Sequence, residues 1–355
     1  MKARPSVPSG AARGARARHV FAATLVLSGV AYSASGQGLS FAPVASIPGH
    51  VDLVRAQGHL LYAVASKALT IFDISSPSAP KRVGGFTLPE QVWGFRVAGD
   101  RAYVADGHAG VAILDVSAPA APRLISLFKT PGPAKNVSVA GRRVFVANHN
   151  SGVDVIDISD PAKPKLLGST DLDGYARDVA TFGSFAVAVD NPSGVYVFDA
   201  QGAAPFDPVA TLQSATAPQQ VEAAEIAGKG TRIAVLAGST PYDPLRMETG
   251  KPRPRGGAVQ LVDVSNPAAP VLTATQPTAS TGRRLAVNGS LVYVADGEEG
   301  LRVLDIAAPS NPVVVARYKT TKPARDVAVA GSLVFVAIAG ASPESGEIVV
   351  LQQKR

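Results

Sequence analysis

The sequence predicts an all-β fold, a seven-bladed β-propeller of four-stranded blades, and three observations carry that reading. A short apolar stretch ending in Asp recurs: LTIFD to Asp73, VAILD to Asp115, VDVID to Asp157, VYVFD to Asp199, VQLVD to Asp263 and LRVLD to Asp305. The intervals are 42, 42, 42, 64 and 42 residues, and 64 is one period plus an excess of 22. Paired apolar runs meet at Gly58, Gly99, Gly141, Gly183, Gly228, Gly289 and Gly331, which counts seven units. Composition agrees: 34 Gly and 28 Pro among 355 residues mark many turns, and 46% hydrophobic residues can fill a large core.

The elements of one unit follow from these runs. Strand a ends at the glycine, as in NVSVA before Gly141, and strand b is an aromatic-bearing run such as VFVA. Strand c ends in the repeated Asp. Strand d follows a double-proline segment, as in Asp157-Ile158-Ser159-Asp160-Pro161-Ala162-Lys163-Pro164. Alternating patterns rich in Val, Ile and Phe favour strands, and no run between turns is long enough for an ordinary helix. Four strands in 42 residues is the period of a propeller blade. The seventh unit stops after strand c at Leu351, with Gln352 where Asp would stand. Its missing fourth strand is expected at Ala42-Pro43-Val44-Ala45-Ser46, which would cover an otherwise open edge. The repeated Asp is expected to fix the c–d turn by accepting backbone N–H bonds, rather than to form a ring of ligands.

The ends of the chain indicate a route. Residues 1–19 hold Lys2, Arg4, Arg13, Arg16 and Arg18 and no acid, and the apolar run Val20 to Ala34 leads to small residues before Gln37. That is the pattern of a secretory signal peptide, in a run shorter than the roughly 20 residues that cross a bilayer. Residues 1–36 are therefore read as a leader. Residues 37–355 are read as one propeller domain, secreted, periplasmic or at the cell surface, with no stable membrane insertion. Without the five leader cations, 29 basic residues face 27 acidic ones, a net of +2. A nucleic-acid binder would carry a stronger basic excess, and the absence of cysteine excludes disulfides and thiolate chemistry.

The stretches LRVLD, VDVID and LTIFD, followed by Ile/Val-Ser-x-Pro, resemble the LVIVD repeat of exported or surface proteins of bacteria and archaea. The resemblance spans roughly residues 42–351, and six of seven units carry the Asp. It implies an exported propeller and no defined reaction.

Function is expected where blades differ while their scaffold repeats. Aligned on the glycines, the first positions of strand a read Asp52, Trp93, Lys135, Arg177, Glu222, Arg283 and Arg325. The next positions read Leu53, Gly94, Asn136, Asp178, Ala223, Arg284 and Asp326. Cations and the only Trp thus converge on the channel mouth, where Trp93, Lys135, Asn136, Arg177, Arg283, Arg284 and Arg325 are candidates to bind an anionic or partly anionic ligand: a protein, peptide or carbohydrate. The bland alternative is that Arg177–Asp178 and Arg325–Asp326 pair with each other around a water-filled channel. The catalytic alternative is a hydrolase or lactonase with a metal such as Ca²⁺ held by Asp52, Asp178, Glu222 and Asp326, which the interleaved cations oppose. No cofactor is otherwise expected.

The b–c turns contain Asp106-Gly107-His108, Asn148-His149-Asn150, Asp190-Asn191 and Asp296-Gly297, mostly hairpin-turn residues. His108 and His149 lie in consecutive blades without the spacing of a metal site. The 22-residue excess falls between strands b and c of blade 5, at 239–257, where Arg246, Lys251, Arg253 and Arg255 outnumber Asp243 and Glu248. A loop of this length is either functional or solvated.

Overall fold

The computed structural model describes residues 31–32, 38–191, 194–213, 218–226, 230–238, 257–279, 284–340 and 345–354. These form seven antiparallel sheets and contain no helix. The strands a are Leu53–Gln57, Gly94–Ala98, Asn136–Ala140, Tyr175–Phe182, Pro218–Ile226, Arg284–Asn288 and Ala324–Ala330. Each touches the strand a of the next blade, and the seventh touches the first, so the ring closes. The chain is a seven-bladed propeller.

Closure follows the expected device. Ser40–Pro48 is the outer strand of blade 7 and pairs antiparallel with Glu347–Lys354, from Ser40 opposite Lys354 to Pro48 opposite Glu347. The predicted Ala42–Ser46 is the middle of that strand. Ala31–Tyr32, inside the segment read as a leader, pairs with Tyr318 and Arg317 on the outer strand of blade 6. Most of that leader, Gly228, Arg283 and residues 239–256 of the blade 5 insertion lie outside the described residues.

The core is divided into seven clusters, each shared by two neighbouring blades. Strand b supplies several of its largest members at one repeated step: Tyr62, Phe145, Tyr293 and Phe335 are all essentially inaccessible. Blades 4 and 5 place the smaller Val187 and Ala234 at that step. The outer strands of six blades carry a bulge, and the extra residue is often apolar. Val44, Val83, Ile125 and Val315 are such residues, and each packs on an inter-blade core. A bulge bends its strand and increases twist, which here lets the outer strand follow the blade.

The repeated Asp does what the turn requires. Asp73, Asp115, Asp157, Asp199, Asp263 and Asp305 each accept the backbone N–H two residues on, at 2.8 or 2.9 Å. Hydroxyls of Ser75, Ser117 and Ser159 add a second bond at 2.6 Å. These bonds hold the carboxyls of Asp73, Asp115 and Asp157 below the usual range, the serine hydroxyl being the main cause.

Candidate functional site

Strand register fixes which residues stand at equivalent places around the mouth. Leu53, Gly94, Asn136, Asp178, Arg284 and Asp326 pair with strand b four residues beyond the partner of the repeated Asp, or of Gln352 in blade 7. The alignment on glycines therefore holds in six blades. It fails in blade 5, where Gln220 takes this place opposite Leu236, so the ring position holds Gln219–Gln220 and not Glu222–Ala223. The reason is a longer hairpin: Asp178 lies four residues before its last paired residue, Phe182, and Gln220 six before Ile226. Glu222 accordingly sits two residues further into its strand than Gln220.

The second ring column mostly joins blades. Asn136 and Asp178 are buried; the Asn136 side-chain amide donates to Asp178, and each accepts the N–H of the following residue at 2.8 Å. A Cβ on Gly94 would lie 2.2 Å from Asn136 Oδ1, so only glycine admits this packing in the preceding blade. Asp326, fully buried, accepts Val327 N–H at 2.8 Å, and Val54 N–H of blade 1 at 2.9 Å. The Arg55 guanidinium lies 3.0 Å from the same carboxylate. Asp178 and Asp326 therefore spend carboxylate oxygens on amides that would otherwise be unmet, which takes them away from the metal role.

The first column carries the charge. Arg325 pairs with Asp52 at 2.8 Å, and His50 Nε2 lies 2.9 Å from the same oxygen. The pairing of Arg325 with Asp326 does not form; Arg325 reaches the next blade instead. Arg284 crosses from blade 6 to donate to the Trp93 carbonyl at 2.9 Å. The Lys135 ammonium sits 3.6 Å from the centroid of the Trp93 ring. Burial lowers the pKa of Lys135, and Arg177 beside it lowers it further. Neither Lys135 nor Arg177 has a carboxylate partner among the described residues.

A cavity of about 650 Å³ opens on this side, lined by turns and strand starts of blades 2 to 4. Trp93 and Lys135 are joined there by residues that the aligned columns do not contain: Gln91, Lys129, His149 and Tyr175. Trp93 and Tyr175 are 46% and 48% exposed, high for large aromatics. His149 stacks on Tyr175 with ring centroids 4.7 Å apart. His108 shares the lining, yet no group of three His or acidic residues able to hold a metal exists among the described residues. Tyr175 escaped the columns because Arg177 is the extra residue of a bulge, which puts the tyrosine two steps before the aligned position.

The geometry defines a class first: a β-propeller repeat protein with a chemically varied mouth. Three solved structures share the architecture. The β-propeller domain of Myceliophteria thermophila Cps50 (Swd1) superposes with a TM-score of 0.67 at 13% identity, covering 88% of this chain and 99% of that one. The WD40 β-propeller domain of Doa1 gives 0.65 at 11%, covering 89% and 97%. The computationally designed Ika8 protein gives 0.60 at 9%, covering 86% and 99%. At these identities the likeness is one of fold. The LVIVD repeat model matches residues 48–87, 91–130, 131–171, 256–278 and 281–320, more than half of the sequence, and the chain belongs to the LVIVD repeat family. Comparison with curated proteins gives no match.

Proposed function

We propose that the chain is an exported, non-catalytic binding scaffold whose channel mouth holds an anionic or partly anionic ligand or protein partner on the side of blades 2 to 4. The observation that carries this is the pair Lys135 and Arg177, without a carboxylate partner among the described residues and beside an exposed Trp93, while Arg325 is neutralised by Asp52. Uncompensated cations in a low-dielectric recess raise the local concentration of anions. The attraction weakens with salt, since exposed charges are screened beyond about 8 Å at physiological ionic strength.

The test is capture of partners from the cell envelope by the wild type and by a Lys135→Ala, Arg177→Ala double variant, at low and high salt. The double variant is expected to lose most of the capture. Equal, salt-insensitive capture by both overturns the reading. Export is tested separately by N-terminal sequencing of protein from that fraction: a start near Gln37 supports it, and an intact Met1 or Lys2 overturns it.

A further inference from the structure

Resting on that reading, we infer that the cavity of blades 2 to 4 is a saccharide site, and that its ligand is a sugar chain carrying carboxylates, of the uronic acid class. Three features of the lining point to this chemistry. Two exposed aromatic rings, Trp93 and Tyr175, stand in one recess. A pyranose presents a flat C–H face that packs on such rings and a rim of hydroxyls that needs polar neighbours. Neutral hydrogen-bonding groups line the same space, from Gln91, Asn150 and Ser151. Lys135 stands at the wall with Arg177 close by, ready for one carboxylate at a time, and the acid Glu90 and the cation Lys129 share the lining.

The turn that carries His149 is the second line of argument. The b–c turns of blades 2 and 6 place Gly107 and Gly297 at φ 53°, and blade 3 places His149 at φ 52°. All three residues accept the N–H of an alanine in the next blade, at 2.8 or 2.9 Å, so the turn is one structural device used three times. Glycine adopts this left-handed conformation without strain and histidine does not. Ser66 takes the same conformation in the b–c turn of blade 1, at φ 54°, and what sets His149 apart is a ring that lines the cavity. Its ring backs Tyr175, and burial together with Lys135 and Arg177 keeps the imidazole neutral to a lower pH than usual. A neutral imidazole both donates and accepts, as hydroxyl recognition needs.

An acidic peptide is the competing occupant, and the backbone argues against it. One recurring way to hold an extended peptide is to pair it with a free strand edge. Here the amides of Trp93, Ala134, Lys135 and Ala176 are already given to Ala105, Gly107, Ala147 and His149, so the strand starts in the recess offer no such edge.

The experiment is calorimetric titration of the purified chain with four probes: a uronic acid tetrasaccharide, its carboxyl-reduced neutral counterpart, an acidic peptide of equal charge, and inorganic phosphate. The uronate is expected to bind at one site, with the neutral sugar, peptide and phosphate each at least tenfold weaker. Tyr175→Ala and His149→Gly should each weaken the uronate on the order of tenfold, as loss of an aromatic anchor does. His149→Gly should melt no lower than the wild type, which separates binding from folding. Equal binding of neutral sugar and uronate overturns the carboxylate. Peptide or phosphate binding as tightly as the uronate, or full uronate affinity in both variants, overturns the saccharide while leaving an anion site standing. Failure of all three anions overturns the saccharide site, and the wider reading then stands or falls on the capture experiment above.

Discussion

Arg177 and Arg325 stand at the same step of their blades, within the same tripeptide Ala-Arg-Asp, and each is the extra residue of a bulge. Their charges nevertheless meet opposite fates. Arg325 finds Asp52 on blade 1, whereas the residue at the place of Asp52 in blade 5, the blade after Arg177, is the neutral Gln219. The seam between blades 7 and 1 uses its charges to join blades: Arg325 to Asp52, and Asp326 to Arg55 and the Val54 amide. The junction of blades 3 and 4 is held by Asn136 and Asp178, while Lys135 packs on the Trp93 ring and Arg177 is exposed, neither with a carboxylate partner among the described residues. In a repeat fold the blade fixes where a side chain stands, and the neighbouring blade decides what it can do.

Removing Asp326 tests the seam most severely. Asp326→Ala takes the carboxylate away from the largely buried Arg55 guanidinium and from the amides of Val54 and Val327. Breaking a buried pair from one side costs about 3–5 kcal/mol, to be read as a lower urea midpoint with an unchanged slope. A loss under 1 kcal/mol would mean that the seam is held by its apolar cluster alone.

Blade 2 offers a second contrast, because its side leaves an acid unmet as well. Asp296 in blade 6 is answered by Arg302 at 2.8 Å, and Asn148 in blade 3 by Asp154 at 2.6 Å. Blade 2 has Ala112 at the corresponding position, six residues after Asp106, and the Asp106 Oδ2 has no hydrogen-bond partner among the described residues. Burial pushes the Asp106 carboxyl up to about 6, against the Glu90 N–H that it accepts at 3.0 Å; the Glu90 charge adds to the rise and Lys67 opposes it. A folded pKa above the unfolded one means the native state holds the extra proton. Its stabilising effect is complete below about 4, declines as pH rises through 6, and is absent above. Asp106→Asn should remove that slope and raise stability at pH 7 by on the order of 2 kcal/mol. Thermal melts of both proteins from pH 4 to 8 read the difference, and parallel curves would contradict it.

The smallest effect separates the two arginines themselves. Arg325→Ala should cost under about 1 kcal/mol of stability, since its pair with Asp52 is partly exposed. Arg177→Ala should leave stability within about 0.5 kcal/mol, because it has no ion pair to lose among the described residues. Partner capture should respond in the reverse order, with Arg177→Ala the more damaging. If the two variants behave alike in both assays, the contrast drawn between the two junctions fails.

Most of the architecture was legible because the repeat is spelled out in residues that local structure demands. The Asp of each c–d turn, the glycine of each a–b turn and the double proline are chosen by their own hairpins, so spacing reveals them. Ring positions were legible only while hairpins kept one length. The longer hairpin of blade 5 moved the position from Glu222 to Gln219, which no counting from Gly228 reveals. Partners across blades were not legible at all: Asp52 and Arg325 are 273 positions apart, and only the closed ring joins them. The unusual turn of blade 3 was written plainly, as Asn148-His149 where sister turns read Asp106-Gly107 and Asp296-Gly297. Its significance needed the backbone angle.

The seven separate cores have a kinetic consequence. Each is shared by two adjacent blades, so the molecule is a one-dimensional array of interfaces bent until its ends meet. An open array frays from its terminal units, but this one has none, because Ser40–Pro48 ties the start of the chain into its last blade. Opening any one interface converts the circle into a line with two exposed ends, from which the remaining six come apart without further obstacle. Loss of structure therefore waits on a single rare rupture, and the lifetime of the folded chain is set by the strength of its weakest junction.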